Sequence, residues 1–173
     1  MQLRSPEGRP WTLTEWVQGR PIRHPTHPMF VHFPVAFYLG VIAFDIMSRI
    51  TPSPALVLAA TYLLIGAFAG TTVAVATGLT DWLGMVRGSS KRRLATQHML
   101  LQLTAAVFFI VNIAVRWGDR RQGEADLLWI ILGVIGYLVL MVGQFLGGIL
   151  VYDRGMRVST GTREAPRSEA DIP

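Results

Sequence analysis

The stretch HPMFVHFPVAFYLGVIAFDIMSR, residues 27–49, decides the fold of this chain. It opens with two histidines, each followed closely by a proline, and continues as an apolar run. A helix needs about 20 residues to cross a bilayer, and a helix starting at Pro34 would be too short. We therefore expect a membrane helix over residues 28–49, with Pro28 at its first position and a kink at Pro34.

Three further apolar stretches follow at residues 54–80, 94–117 and 127–152. Residues 54–70 and 127–152 contain no charged side chain, whereas a helix of a soluble protein would present a polar face. The sequence therefore predicts an all-α integral membrane protein whose single domain, residues 27–153, is a bundle of four transmembrane helices. Gly66 with Gly70, and Gly143 with Gly147, form small-residue faces that permit close helix contact.

Polar segments flank the predicted membrane domain on both sides. Residues 1–26 are basic, and the capping-box spacing of Thr12 and Glu15 predicts a short helix lying in the interface. A loop with anchoring aromatic residues is the alternative. We see no apolar segment before Met29 that would act as a cleavable signal peptide. Residues 154–173 are polar and expected to be flexible.

The distribution of cations predicts the orientation in the membrane. With four helices both termini lie on one side, which then carries twelve of the 16 lysines and arginines. Those twelve are Arg4, Arg9, Arg20, Arg23, Arg87, Lys91, Arg92, Arg93, Arg154, Arg157, Arg163 and Arg167; the other side has Arg49, Arg116, Arg120 and Arg121. The positive-inside rule makes the termini cytoplasmic and the location the bacterial inner membrane. The net charge of +5 reflects this topology rather than a nucleic-acid partner.

All four histidines, His24, His27, His32 and His98, are predicted near the cytoplasmic boundary, as is Asp81. His98 and one of His27 and His32 could hold a haem b from both faces, with Asp81 fixing an imidazole tautomer. Alternatively, His27, His98 and Asp81 could bind a divalent metal. The remaining interpretation is ordinary helix-end histidines bonded to backbone or water. Because His27 and His32 lie about 140° apart on a helix, only one of them can face the bundle.

Other polar residues within the predicted helices have structural interpretations. Asp45 and Arg49 are spaced for an ion pair along one helix, and we interpret them as structural. Asn112 lies on nearly the same helix face as His98. Asp81 is either a partner of a histidine or an electrostatic complement to the basic loop that follows it. All five tryptophans lie near predicted membrane edges, as belt residues do.

Several classes of function find no support in the sequence. The absence of cysteine excludes thioether-attached haem, cysteine-ligated iron–sulfur clusters and disulfides. No phosphate loop, catalytic triad or zinc-protease motif is present, so we do not expect a stand-alone enzyme. Neither half mirrors the other as in transporters built from inverted repeats.

Four motifs, in this order, resemble the bacterial membrane proteins catalogued as domain of unknown function 2231. They are HPMFVHFP at residues 27–34 with the following Asp45, GLTDW at 78–82, HML at 98–100 with Asn112, and GGILVYDRGMRV at 147–158. The resemblance spans about residues 24–158. It implies a four-helix inner-membrane domain and, because relatives are sometimes joined to Rieske-type or cytochrome modules, redox chemistry. It marks His27, Asp81 and His98 as motif positions, whereas His32 is often replaced.

These observations lead to one hypothesis and one rival. The hypothesis is a small redox-associated membrane protein, an electron-transfer accessory subunit that binds haem b or a metal. The rival is a cofactor-free structural or assembly subunit of a larger membrane complex, suggested by the small-residue faces and the polar C-terminal tail. The expected partners are the lipid bilayer and other complex or redox subunits, or a second copy of the chain.

Overall fold

The structure, a computed structural model, describes residues 5–158, and in this range it is helical without strands. A short helix α1 (Leu13–Val17) and a 3₁₀ turn (Arg20–Ile22) precede four long helices. The long helices are α2 (Thr26–Ile50), α3 (Pro54–Leu83), α4 (Ser90–Arg116) and α5 (Leu127–Tyr152).

The four long helices are each long and apolar enough to cross a membrane, which confirms the predicted spans. They have 25 to 30 residues. At 1.5 Å per residue they are therefore about 38 to 45 Å long, more than the roughly 30 Å of a hydrocarbon core. Helix α2 begins two residues earlier than predicted and continues through Pro34. Helix α4 begins four residues earlier, because the Ser89 side chain accepts a hydrogen bond from the Arg92 amide and caps it.

The bundle consists of two helical hairpins, α2 with α3 and α4 with α5. The hairpins meet through α3 against α4 and α2 against α5, so α2 and α4 lie diagonally across the bundle axis. Their side chains fill the centre, where the Tyr38 and Phe109 rings stack with centroids 3.5 Å apart. Val41, Leu64 and Leu140 complete this buried core.

The small-residue faces serve contacts within the chain rather than contacts with a partner. Gly70 lies against the Pro34 ring of α2, and Gly66 lies against Phe37 of the same helix. In the second hairpin, Gly143 packs on Gln102 and Gly147 packs on His98. These glycines let the two helices of each hairpin approach closely.

The N-terminal segment confirms the predicted capping box. Thr12 accepts a hydrogen bond from the Glu15 amide, and the Glu15 carboxylate accepts one from the Thr12 amide. The Glu15 carboxylate also accepts two 2.8 Å hydrogen bonds from the Arg9 guanidinium. The Arg9 bonds, followed by those from Thr12, hold the pKa of Glu15 well below its usual value. The segment is fastened to the bundle by Gln18, whose side-chain amide donates to the Thr80 carbonyl at 2.9 Å.

The predicted tail begins at residue 154, and only its first five residues fall within the described part of the chain. The flexibility expected for residues 159–173 concerns residues outside the described range.

Candidate functional site

Two histidines from different hairpins meet at the bundle axis. His27 lies in the first turn of α2, and His98 lies in the third turn of α4. Their imidazole centroids are 6.3 Å apart and their ring planes are nearly perpendicular, at 85°. Both side chains are partly buried. The two predicted candidate residues are therefore close enough to act on one ligand.

The hydrogen bonds of the two imidazoles define which nitrogen is free. Nδ1 of His27 lies 2.9 Å from the Ala74 carbonyl oxygen, and Nδ1 of His98 lies 2.7 Å from the Gly143 carbonyl oxygen. Since a carbonyl oxygen only accepts, each Nδ1 carries the proton and donates it. In the neutral imidazole Nε2 then presents its lone pair, and within residues 5–158 neither Nε2 has a hydrogen-bond partner.

Each imidazole rests on a glycine of the neighbouring helix. A Cβ added at Gly78 would lie 2.9 Å from Cε1 of His27, and one at Gly147 would lie 3.1 Å from Cε1 of His98. In both hairpins the carbonyl that accepts the Nδ1 proton, from Ala74 or Gly143, belongs to the residue four positions before that glycine. The two histidines therefore occupy equivalent sites.

The other two histidines do not join this pair. His32 is exposed on the outer surface of the bundle, so of His27 and His32 it is His27 that faces inward. The prediction that His32 is a ligand is therefore wrong, because the phase of α2 turns its side chain away from the axis. His24 is also exposed and precedes α2.

The predicted role of Asp81 is also wrong. Its carboxylate is buried at the end of α3 and pairs with the guanidinium of Arg157 rather than with a histidine. Arg157 follows α5 in sequence, so this ion pair ties the C-terminal end of the bundle to α3. Within residues 5–158 no group of three or more His, Asp or Glu side chains could hold a metal ion, which argues against the set His27, His98 and Asp81.

At the opposite end of the bundle, Asp45 has a different partner from the one predicted. Its carboxylate lies 2.5 Å from the guanidinium of Arg116 on the diagonal helix, and both side chains are fully buried. Arg49 instead pairs with Glu124 at 3.1 Å in an exposed ion pair. Two residues spaced by four on one helix can pair, but here Asp45 points to the axis and Arg49 to the surface.

The surroundings of Arg116 are polar and incompletely paired. Its guanidinium lies 4.8 Å from the ring centroid of Trp129, an arrangement typical of a cation–π contact. Trp129 is only 3% exposed, so it is a core residue rather than the predicted belt residue. Asn112 is fully buried, as its predicted structural role requires, and its side-chain amide donates to the Trp129 carbonyl at 2.8 Å.

A repeated spacing links these features. Tyr38 and Asp45 lie 11 and 18 residues after His27, and Phe109 and Arg116 lie 11 and 18 residues after His98. In three dimensions each residue meets its counterpart: the histidines at one end, the stacked rings in the middle and the ion pair at the other end. Multiples near 3.6 put all three on one helix face. The halves thus repeat in the parallel sense, a signal that the sequence contains but that a search for inverted repeats misses.

A bundle of four long apolar helices, with paired histidines at one end of its axis, defines a multi-pass membrane protein. Residues 23–160 match the family described as "Predicted membrane protein", domain of unknown function 2231. This match covers more than half of the chain, so the chain belongs to that family, as its motifs indicated. No curated protein and no solved structure matches the chain at a significant level.

Proposed function

We propose that the protein is a small redox-associated protein of the bacterial inner membrane, in which His27 and His98 are the two axial ligands of a haem b. The observation that carries this proposal is the pair of imidazoles 6.3 Å apart, each with Nδ1 donated to a backbone carbonyl and Nε2 without a partner. Histidine ligands in metal proteins commonly have this arrangement, since the Nδ1 hydrogen bond fixes the tautomer that ligates.

The number of ligands favours haem over a free divalent ion. A protein site for zinc generally supplies three or four side chains, whereas the described residues bring together two imidazoles and no third ligand. A haem needs only two axial ligands, because the macrocycle supplies the other four nitrogens. Two metal–nitrogen bonds of about 2 Å each would place the Nε2 atoms about 4 Å apart, which rings with centroids 6.3 Å apart permit.

The chain's own residues hold and tune the two ligands in this proposal. The carbonyl groups of Ala74 and Gly143 orient the rings and raise the basicity of Nε2. Gly78 and Gly147 leave room for each ring against the helix backbone. A bound haem would supply one-electron chemistry, and the electron partner would be a separate protein of a larger membrane complex.

The positions of the cations support cytoplasmic termini, and with them a cytoplasmic location of the histidine end. Of the four cations assigned to the other side, Arg116 is buried in the bundle and therefore is not a loop charge. The remaining bias toward the side of the termini is larger than the sequence count suggested. The positive-inside rule applies to loop charges of this kind.

Replacement of the histidines tests the proposal. Haem content per chain, measured after purification in mild detergent, should fall to background in His27→Ala and His98→Ala, because each variant removes one axial ligand. His32→Ala is the matched control, since His32 lies on the same helix but faces outward, and it should keep its haem. Equal haem content in all three variants would contradict the assignment.

A cofactor-free structural subunit is the second candidate, and one observation favours it. The same hydrogen bonds that free Nε2 also fasten α2 to α3 and α4 to α5. In a purely structural protein the histidines would serve only as these fasteners. His27→Gln and His98→Gln would then lower the melting temperature while the wild-type protein, prepared from its own membranes, contained no haem.

A further inference from the structure

A basic cavity lies at the histidine end of the bundle, outside the helices. Its volume is about 210 Å³, and it is lined by Gln18, Gly19, Arg20, Arg23, His24, Pro25 and Arg157. Three of these seven residues are arginines, and none is acidic. The lining therefore favours a negatively charged ligand. It draws on the N-terminal segment and on the residue that follows α5, two parts of the chain that are distant in sequence.

The backbone at this cavity is strained in a specific way. Arg23 has φ 54° and Arg157 has φ 59°, and in residues 5–158 these are the two residues other than glycine with positive φ. A left-handed conformation costs a non-glycine residue about 1–3 kcal/mol and persists where the surroundings or the function require it. Both residues that bear this cost are arginines, and both line the same cavity.

The ion pairs of these arginines leave charge available. Arg157 is held by Asp81, and Arg20 donates to the Gln18 side chain at 2.9 Å and lies 3.7 Å from Glu15. The Arg23 guanidinium, in contrast, has no ion-pair or hydrogen-bond partner within the described residues. The acidic side chains thus fix two arginines in place from behind, and the cavity keeps the positive charge of Arg23.

The position of the cavity indicates the depth of its ligand. It lies just before the start of α2 at Thr26 and beside the end of α3, where Asp81 holds Arg157. Since the long helices exceed the hydrocarbon thickness, their ends reach the headgroup region. Basic pockets at this level bind phospholipid headgroups, and arginine forks suit phosphate oxygens.

We propose that this cavity binds a phosphate group, with Arg23 as the principal contact and Arg157 as a second one. At this depth the phosphate belongs to an anionic phospholipid of the surrounding leaflet; a free phosphate would meet the same residues. The site is separate from the histidine pair and does not depend on a haem.

The test compares the melting temperature of the detergent-purified full-length protein with added phosphatidylglycerol, phosphatidylcholine or inorganic phosphate. We expect phosphatidylglycerol to raise the melting temperature and phosphatidylcholine to raise it less. An equal response to inorganic phosphate would assign the site to a free anion. An equal response to both lipids, with none to phosphate, would overturn the proposal.

Two substitutions decide whether the cavity is responsible. Arg23→Gln should lose most of the shift caused by phosphatidylglycerol. Arg154→Gln is the matched control, because Arg154 is an exposed arginine at the same end of the bundle that does not line the cavity, and it should keep the shift. An equal loss in both variants would show attraction to a diffuse basic surface and would overturn the assigned site.

A third substitution tests the strain. Arg23→Gly relieves the positive φ, so without lipid its melting temperature should rise by about 2–4 °C for each kcal/mol recovered. The same variant should lose the response to phosphatidylglycerol. A melting temperature that falls without lipid, together with an unchanged lipid response, would contradict the proposed use of strain to place Arg23.

Discussion

The imidazoles of His27 and His98 are positioned by their neighbours rather than by each other. Each is fixed by one backbone carbonyl and one glycine of the adjacent helix. The sequence identified both residues as candidates from their shared depth. It did not decide between His27 and His32, because the two differ by about 140° on α2 and only the phase of the folded helix selects one.

Gly78→Ala tests the importance of the glycine under His27. The added Cβ would lie 2.9 Å from the imidazole, so the ring must move and weaken its bond to Ala74. We expect a lower melting temperature and lower haem retention. Gly148→Ala is the control, because no atom lies within 4 Å of its Cβ. There the better helix propensity of alanine, up to about 1 kcal/mol, should leave the protein unchanged or more stable. A harmless Gly78→Ala would contradict this contact.

At the scale of helices, apolar length predicted the four spans correctly, and α5 has the predicted bounds. The differences at the ends of α2, α3 and α4 have local causes such as the Ser89 cap. The capping box of α1 was also predictable, because it is a contact between residues three apart. The partners of Asp45 and Asp81 were not, since Arg116 and Arg157 are more than 70 residues away in sequence.

The ion pair of α1 predicts a pH dependence of the N-terminal segment. Because the Arg9 hydrogen bonds hold the pKa of Glu15 below its unfolded value of about 4.3, Glu15 stabilises the segment above that pH. The stabilisation should be lost as the pH falls from there toward the lowered pKa. Limited proteolysis should therefore cut the segment faster in acid, using a protease active over that range.

Glu15→Gln mimics the protonated side chain and should be cut faster already at pH 7. Glu7→Gln is the control, since Glu7 is exposed and contacts only Arg9 among the bonds of this segment. A Glu15→Gln variant as resistant as the wild-type protein would show that the capping box does not hold the segment.

At the scale of the whole molecule, two similar hairpins are joined across one axis by the paired histidines, the stacked rings and the Asp45–Arg116 ion pair. The repeated spacing of 11 and 18 residues could have predicted these partners from the sequence. Three positions are too few to stand out until the structure shows that their side chains meet. The polar end around Arg116 holds the hairpins in register, because a shifted register would leave both charges buried and unpaired.

A double-mutant cycle tests the ion pair. Asp45→Leu should destabilise the protein by about 3–5 kcal/mol, because it leaves the buried Arg116 without its counter-charge. The double variant Asp45→Leu/Arg116→Met removes both charges and should recover most of this loss. The exposed pair Arg49–Glu124 is the control, and its removal should cost at most about 1 kcal/mol. A double variant no more stable than Asp45→Leu would contradict a purely structural role of the pair.

The central claim is that His27 and His98 together hold a haem. The most direct measurement is the dithionite-reduced minus air-oxidised visible spectrum of the protein purified from its own membranes. The account predicts a sharp α-band of the b type, with stoichiometric haem. A flat difference spectrum from a monodisperse, folded preparation would contradict it.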